Sequence, residues 1–341
     1  MEIKEIKEKV FHSEEYSFLT NHKHLGNKVI LLGLGGSHSY GTNIETSDLD
    51  VRGIAVNSPE YILTGRDYEQ VVNEATDTTI YSFDKILKLL CSCNPNTIEL
   101  LGLKPEHYIY KTDIGEMLLN HKHMFLSKQA VYSFGGYAND QLRRLENKSV
   151  RDKSPALIEG QILKSIENAM HDIKRRHAEF EEGELSLYLD TVDGNTEIYT
   201  DINLKHYPLR DYCGLYSELN AIVKEYGKNS VRNSKAIAHG KLAKHMMHLI
   251  RLYLMGLDIL ENEKIVTYRE ADLPLLMDIR NGKYLSEDDM PTPEFWELLN
   301  DLTNRFEYAK NNTSLPDKVD MDKVRDFQYY VNSYVIHNEI R

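Results

Sequence analysis

Two carboxylates one residue apart, Asp48 and Asp50, follow the turn Gly35-Gly36-Ser37, with ten residues between Ser37 and Asp48. Acids at this spacing bring several oxygens to one place, which suits a hard divalent cation such as magnesium. A Gly-Gly-Ser turn at a helix start offers backbone N–H groups and a hydroxyl to phosphate oxygens. Together they make a seat for a metal-bound triphosphate, and the chemistry such a seat serves is phosphoryl or nucleotidyl transfer. An in-line displacement is stabilised at both its entering and leaving oxygens by two metals about 3.5–4 Å apart. Either feature alone is commonly just a turn or a solvated edge; their order and spacing between two strands make the site.

The elements that must position these groups are legible nearby. Lys28–Leu34 is a short apolar run ended by glycine, the pattern of a buried strand. Gly35 and Gly36 let the backbone turn sharply and approach a ligand, and Ser37–Tyr40 opens a short helix. A second strand is expected over Leu49–Asn57. Alternation across it would put Asp48, Asp50 and Arg52 on one face, although Arg52 has the alternative of pairing with a surface acid. Residues 1–25 read as a helix with a polar tail, and Pro59–Leu63 as a helical turn. Asp77–Ser82 has strand character and leads into an amphipathic helix from Asp84 to Cys93. Asn94-Pro95 then caps a new helix over Thr97–Leu103.

Beyond Met124 the texture becomes helical, with three- and four-residue apolar spacing over Phe125–Asn147 and Pro155–Glu181. Leu185–Leu204 interrupts it with two alternating runs around Asp193-Gly194, a hairpin signal. Helices resume over Tyr212–Tyr226, Ser234–Asn262, Asp272–Asn281, Thr292–Ala309 and Lys318–Arg341. On the helix from Ser234, the residues Lys241, Lys244, His245, His248 and Arg251 form a basic stripe, and Leu242, Met246, Leu249, Tyr253 and Leu254 form the core side. The stripe is either a wall that meets triphosphate or RNA, or a solvated face. His245 and His248 lack a third nearby ligand for zinc.

Composition bounds the reading. The 341 residues, 41% of them hydrophobic, are enough for two domains. A net charge of −12 argues against bulk coating of nucleic acid and leaves room for a local basic groove. Basic residues do cluster at Arg143, Arg144, Lys148, Arg151 and Lys153, and at Lys174–Arg176, runs that are commonly solvated helix faces. Cys91, Cys93 and Cys213 have no partner set at zinc spacing and read as buried free thiols. No apolar run approaches the roughly 20 residues of a membrane span. The charged N-terminus is unlike a signal peptide, so the cytoplasm is the expected location.

At Gly36-Ser37 and Asp48-Leu49-Asp50 the chain resembles the DNA polymerase beta type nucleotidyltransferase superfamily, whose hallmark is this pair of motifs. Within it the chain is similar to the RNA repair pathway group, RlaP, through Ser47–Gly53, Asp77–Tyr81, Asn94–Leu100 and His245–Arg251. The resemblance implies an α/β (α+β) catalytic domain with a small mixed sheet over residues 1–123. A mainly helical domain with a hairpin near 185–204 would follow over 124–341 and close over the nucleotide. It also implies roles. Gly36 and Ser37 would hold the β- and γ-phosphates, and Asp48 and Asp50 would ligate two magnesium ions, manganese being the alternative. A third acid, assigned to Asp77 ahead of Asp84 and Glu74, would complete the metal site and help activate the attacking hydroxyl. Ser127, Lys128, Tyr137 and Gln141 lie on the helix face where related enzymes close the nucleotide pocket.

The expected activity is a nucleotidyltransferase (EC 2.7.7 type) that moves NMP from an NTP to an RNA 3′ end, tRNA included, and releases pyrophosphate. Two other readings stand beside it: transfer to a protein hydroxyl or small molecule, and a catalytically silent nucleotide- or RNA-binding protein.

Overall fold

The computed structural model describes residues 3–151, 185–192, 195–231, 241–287 and 290–339. Contacts group the chain into two compact units, Met1–Arg143 with Ala243–Arg341, and Arg144–Leu242. In chain order the first unit starts with α1 (Ile3–His12), α2 (Phe18–Asn21), β1 (Val29–Leu34), α3 (Gly36–Tyr40), β2 (Val51–Ala55) and α4 (Pro59–Thr64). It continues through β3 (Gln70–Asn73), β4 (Thr78–Ser82), α5 (Phe83–Cys91), α6 (Pro95–Ile98), β5 (Tyr108–Lys111), α7 (Asp113–Asn120) and most of α8 (Gln129–Arg151).

The five strands form one mixed sheet in the order β3-β4-β2-β1-β5. Strand β1 pairs antiparallel with β2 and β5, β2 runs parallel to β4, and β3 closes the other edge antiparallel to β4. All six residues of β1 are buried, which is why its sequence is a continuous apolar run rather than an alternating one. Against the sheet pack Ile6 and Val10 of α1 with Tyr16, Leu19 and Leu25, meeting Leu32, Leu34, Val51 and Ile80.

The second unit contains the antiparallel hairpin of β6 (Leu185–Val192) and β7 (Asn195–Ile202), in register from Leu185↔Ile202 to Val192↔Asn195, and the helix α9 (Leu209–Val231). Buried Leu185 and Leu215 meet there, with Leu204 and Leu219 packed on them. Back in the first unit, α10 (Lys241–Asn262), most of which belongs to it, is followed by α11 (Leu273–Arg280), α12 (Pro293–Asn312) and α13 (Met321–Glu339). Met246, Leu249, Tyr253 and Leu254 of α10 are buried, as the opposite-face reading requires. No helix among the described residues is long and apolar enough to cross a membrane.

Several boundaries differ from the sequence expectation. Strand β2 starts at Val51, so Asp48, Leu49 and Asp50 form an irregular segment before it. Asp77 is likewise outside β4, in the left-handed region (φ 43°) at the end of a 3₁₀ turn over Glu74–Thr76. Strands β3 and β5 and helix α7 were not anticipated, and Phe125 belongs to a 3₁₀ turn rather than to α8. The expected helix over Pro155–Glu181, the turn Asp193-Gly194 and residues 232–240 lie outside the described residues, as do Lys153 and Lys174–Arg176. Of the cysteines only Cys93 is buried, its Sγ donating to the Phe125 carbonyl at 3.2 Å; Cys91 is half-buried and Cys213 exposed.

The capping at Asn94 is as expected. Its side chain accepts from the Asn96 N–H at 3.0 Å, and Pro95 takes the first helical position. Asn94→Ala should cost about 1 kcal/mol, read as a lower urea midpoint with unchanged slope.

Candidate active site

The turn after β1 is built onto Asp50. The Gly35 N–H donates to the Asp50 carbonyl at 2.9 Å. Gly36 has φ +52°, and a Cβ there would stand 1.9 Å from Asp50 Oδ2. Only glycine takes that conformation at that approach without strain, so the turn lies directly on the carboxylate. Ser37, half-buried, follows in the first turn of α3, its carbonyl accepting from the Thr42 N–H at 3.0 Å.

Arg52 ties two acids together. Its Nη2 donates to Asp50 Oδ1 and to Asp77 Oδ1, each at 3.2 Å, while Nη1 donates to the Asp77 carbonyl at 2.6 Å and the Val51 carbonyl at 3.1 Å. Sheet register explains the meeting. Strands β2 and β4 run parallel with Val51 opposite Thr78, and the Val51 N–H donates to the Asp77 carbonyl at 3.2 Å. The residues one step before each strand, Asp50 and Asp77, are therefore neighbours. Burial pushes the Asp50 carboxyl up to about 6, and Asp77 adds to the shift by hydrogen bond and charge; Arg52 and Lys244 oppose it.

Asp48 is exposed and faces elsewhere, lining with Glu74, Asp77, Lys9, Glu15 and Tyr16 a second concavity of about 420 Å³. The expected shared face of Asp48, Asp50 and Arg52 thus holds for Asp50 and Arg52, because alternation applies only where there is a strand. Of the other acids weighed, Asp84 accepts from Asn57 at 2.9 Å and from Gln328 at 2.5 Å, a structural cross-link. Among the described residues no three His, Cys, Asp or Glu side chains are grouped to hold a metal. The donors that do meet, carboxylate oxygens of Asp50 and Asp77 already sharing one cation, fit a hard divalent ion in kind.

Arg52 and Gly36 open onto a cavity of about 440 Å³, whose far wall carries His248, Arg251 and Leu252 of α10. Tyr137 and Gln141 of α8 also line it. The basic stripe is therefore only partly a solvated face. His248 is driven to about 2 by burial and then by the charges of Arg251, Lys244, His245 and Arg280, so its ring is neutral within a cationic surround. The Arg251 guanidinium lies 3.4 Å from the centroid of the Tyr40 ring, and burial lowers it to about 10 against the pull of Glu99. His245 Nδ1 is 3.2 Å from Gln141 Oε1, and Lys244 is exposed. Lys241 opens α10, and its side chain is outside the described residues.

Ser127 and Lys128 are not brought to this cavity. Ser127 is fully buried, its Oγ accepting from the Gln129 N–H at 3.3 Å, and Lys128 pairs with Asp317 at 2.8 Å. The Lys128 N–H also donates to the Pro316 carbonyl at 2.8 Å, so the start of α8 is docked on the segment before α13 and turned to structural use.

Sequence reasoning missed two groups. Arg280, which closes α11, donates from Nη2 to Ser47 Oγ at 3.3 Å, and its buried Nε and Nη1 have no hydrogen-bond partner among the described residues. A basic residue in a helix's last turn ordinarily complements the dipole, so its sequence position carried no signal. Glu99 is 8% exposed and lines the cavity, pushed up to about 7 by burial with Arg251 opposing.

The family model described as RlaP, RNA repair pathway DNA polymerase beta family, matches residues 6–331. The chain is also similar to an uncharacterized 38.9 kDa protein of the nrdC-mobD intergenic region of Enterobacteria phage T4. The two are 25% identical over 332 residues, covering 88% of this chain and 96% of the phage protein.

Proposed function

Because the chain belongs to RlaP, the RNA repair pathway DNA polymerase beta family, we propose that it is a metal-dependent nucleotidyltransferase acting on RNA. It transfers a nucleoside monophosphate from an NTP to an RNA 3′ hydroxyl and releases pyrophosphate. The observation that supports this reading is the Asp50–Arg52–Asp77 cluster beneath the Gly36 turn, at a cavity whose far wall is cationic.

Asp50 and Asp77, the acids that meet, would hold magnesium or manganese. A bound divalent ion supplies Lewis-acid stabilisation of the phosphoryl oxygens. The chain's own groups do the rest. Arg52 keeps the two acids in register, and Asp77, the more exposed of them, takes the proton of the attacking hydroxyl. The hydroxyl oxygen bonds to the α-phosphorus as the bond to the pyrophosphate oxygen breaks. Gly36 N–H and Ser37 Oγ donate to the departing phosphates, while Lys244 and Arg280 balance their charge. Neutral His248 contributes hydrogen bonding rather than a further charge.

Incubation with each labelled NTP, magnesium and a mixed RNA pool should yield labelled RNA and free pyrophosphate. Pyrophosphate release with the label on protein or a metabolite would sink the RNA acceptor. The net charge of −12 favours that second reading, a protein or small-molecule hydroxyl. Arg280→Gln should weaken NTP binding about tenfold, the effect of losing a charge-assisted hydrogen bond. Equilibrium binding of a non-hydrolysable NTP checks it, and an unchanged affinity would remove Arg280 from the site.

A further inference from the structure

Glu99 is the one buried acid of the cavity that the transfer chemistry leaves unused. It opens a 3₁₀ turn, Glu99–Gly102, directly after α6, and Thr267 Oγ1 pins its backbone by donating to the Glu99 carbonyl at 2.6 Å. Its side chain lines the cavity at 8% residue exposure and makes no hydrogen bond or ion pair among the described residues. Arg251, which also lines it, has a buried Nε with no hydrogen-bond partner among the described residues. A carboxylate at that exposure and a buried guanidinium N–H left without hydrogen-bond partners are costly, and such groups are ordinarily satisfied by something.

Two of the cavity's amides are already engaged. Asn96 Nδ2 donates to the Tyr137 hydroxyl at 2.8 Å, and Gln141 Oε1 meets His245 Nδ1 at 3.2 Å. Apart from Arg52, which is tied to the two acids, the charged side chains of the wall are then Glu99, an acceptor pair, and Arg251, a donor fork. The two feel each other's charge, Arg251 favouring the ionised form of Glu99 and Glu99 the charged form of Arg251.

We infer that Glu99 and Arg251 select the base of the incoming nucleotide and that the base selected is guanine, an inference resting on the nucleotidyltransferase reading above. A carboxylate matches two adjacent N–H donors, and guanine is the one RNA base presenting them, at N1 and N2. A guanidinium matches adjacent acceptors, which guanine presents at O6 and N7. Adenine and cytosine set a ring-nitrogen acceptor beside their single amine, and uracil flanks its one N–H with two carbonyls. Each would face Glu99 with a lone pair and leave a buried charge unpaired, the strongest form of rejection a polar site has.

The test is competitive equilibrium binding of GTP, ATP, CTP and UTP to the full chain, beside Glu99→Gln and Arg251→Lys. Wild type should prefer GTP at least tenfold. Glu99→Gln should bring the four nucleotides within threefold of one another with ATP affinity unchanged, an outcome that a merely structural role would not produce. Should Glu99→Gln not fold, Arg251→Lys is read in the same way. Equal affinities in wild type, preference for another base, or a GTP preference surviving both substitutions would overturn base selection while leaving nucleotidyl transfer standing. No binding of any NTP would overturn both.

Discussion

Asp50→Asn should lower nucleotidyl transfer by about 10²–10³-fold or more, the scale of removing a charged group that stabilises the transition state, without lowering the melting temperature. The second half of that expectation follows from the site's own electrostatics. Asp50 is pushed up to about 6 by burial and by Asp77, so the folded chain already carries a cost for its ionised form. An amide of the same shape removes the repulsion between the acids and still accepts from Arg52, whose bonds to Asp77 remain. Labelled-product assays and thermal melts on the same preparation measure both quantities. Retained transfer would remove Asp50 from the chemistry, and a large drop in melting temperature would make it a structural residue.

Gly36→Ala should be almost as severe by a different route. A Cβ at that position would overlap Asp50 Oδ2 at 1.9 Å, and the residue's φ of +52° adds about 1–2 kcal/mol for a non-glycine backbone. Asp50 must move, and displacing a reacting group by about 1 Å costs about a hundredfold in rate. The substitution should therefore lower stability and rate together, where Asp50→Asn lowers rate alone. Gly65 is the control: its φ is +67°, but nothing lies within 4 Å of where its Cβ would be. Gly65→Ala should show the backbone cost in a thermal melt and keep full activity.

What could be read from the sequence was what local rules determine. A glycine-ended apolar run gave β1, and the glycines and Ser37 gave the turn and α3. Asn94-Pro95 gave a capped helix start. Alternation put Arg52 on the face of Asp50, where it lies, and Asp77 was named by resemblance. The rest depended on long-range contacts. Strands β3 and β5 are four-residue edges, exposed at half their positions, too short and polar to show a period. Asp48 was assigned a strand face that begins only at Val51. Ser127 and Lys128 sit near the right helix but are taken up by Cys93 and Asp317. Arg280 and Glu99 have ordinary helix-surface residue types, and only the fold places Glu99 at the cavity and Arg280 against Ser47.

The first unit is assembled from two stretches of chain separated by the whole of the second, Arg144–Leu242. The acids and the glycine turn come from the first stretch, whereas His248, Arg251 and Arg280 come from the last. Translation therefore delivers the reactive carboxylates long before the residues that would grip a nucleotide. A chain interrupted anywhere within the intervening unit would carry the acids without His248, Arg251 or Arg280. On the nucleotidyl-transfer reading proposed above, a nascent chain would gain its grip on a nucleotide only after the intervening unit has been made.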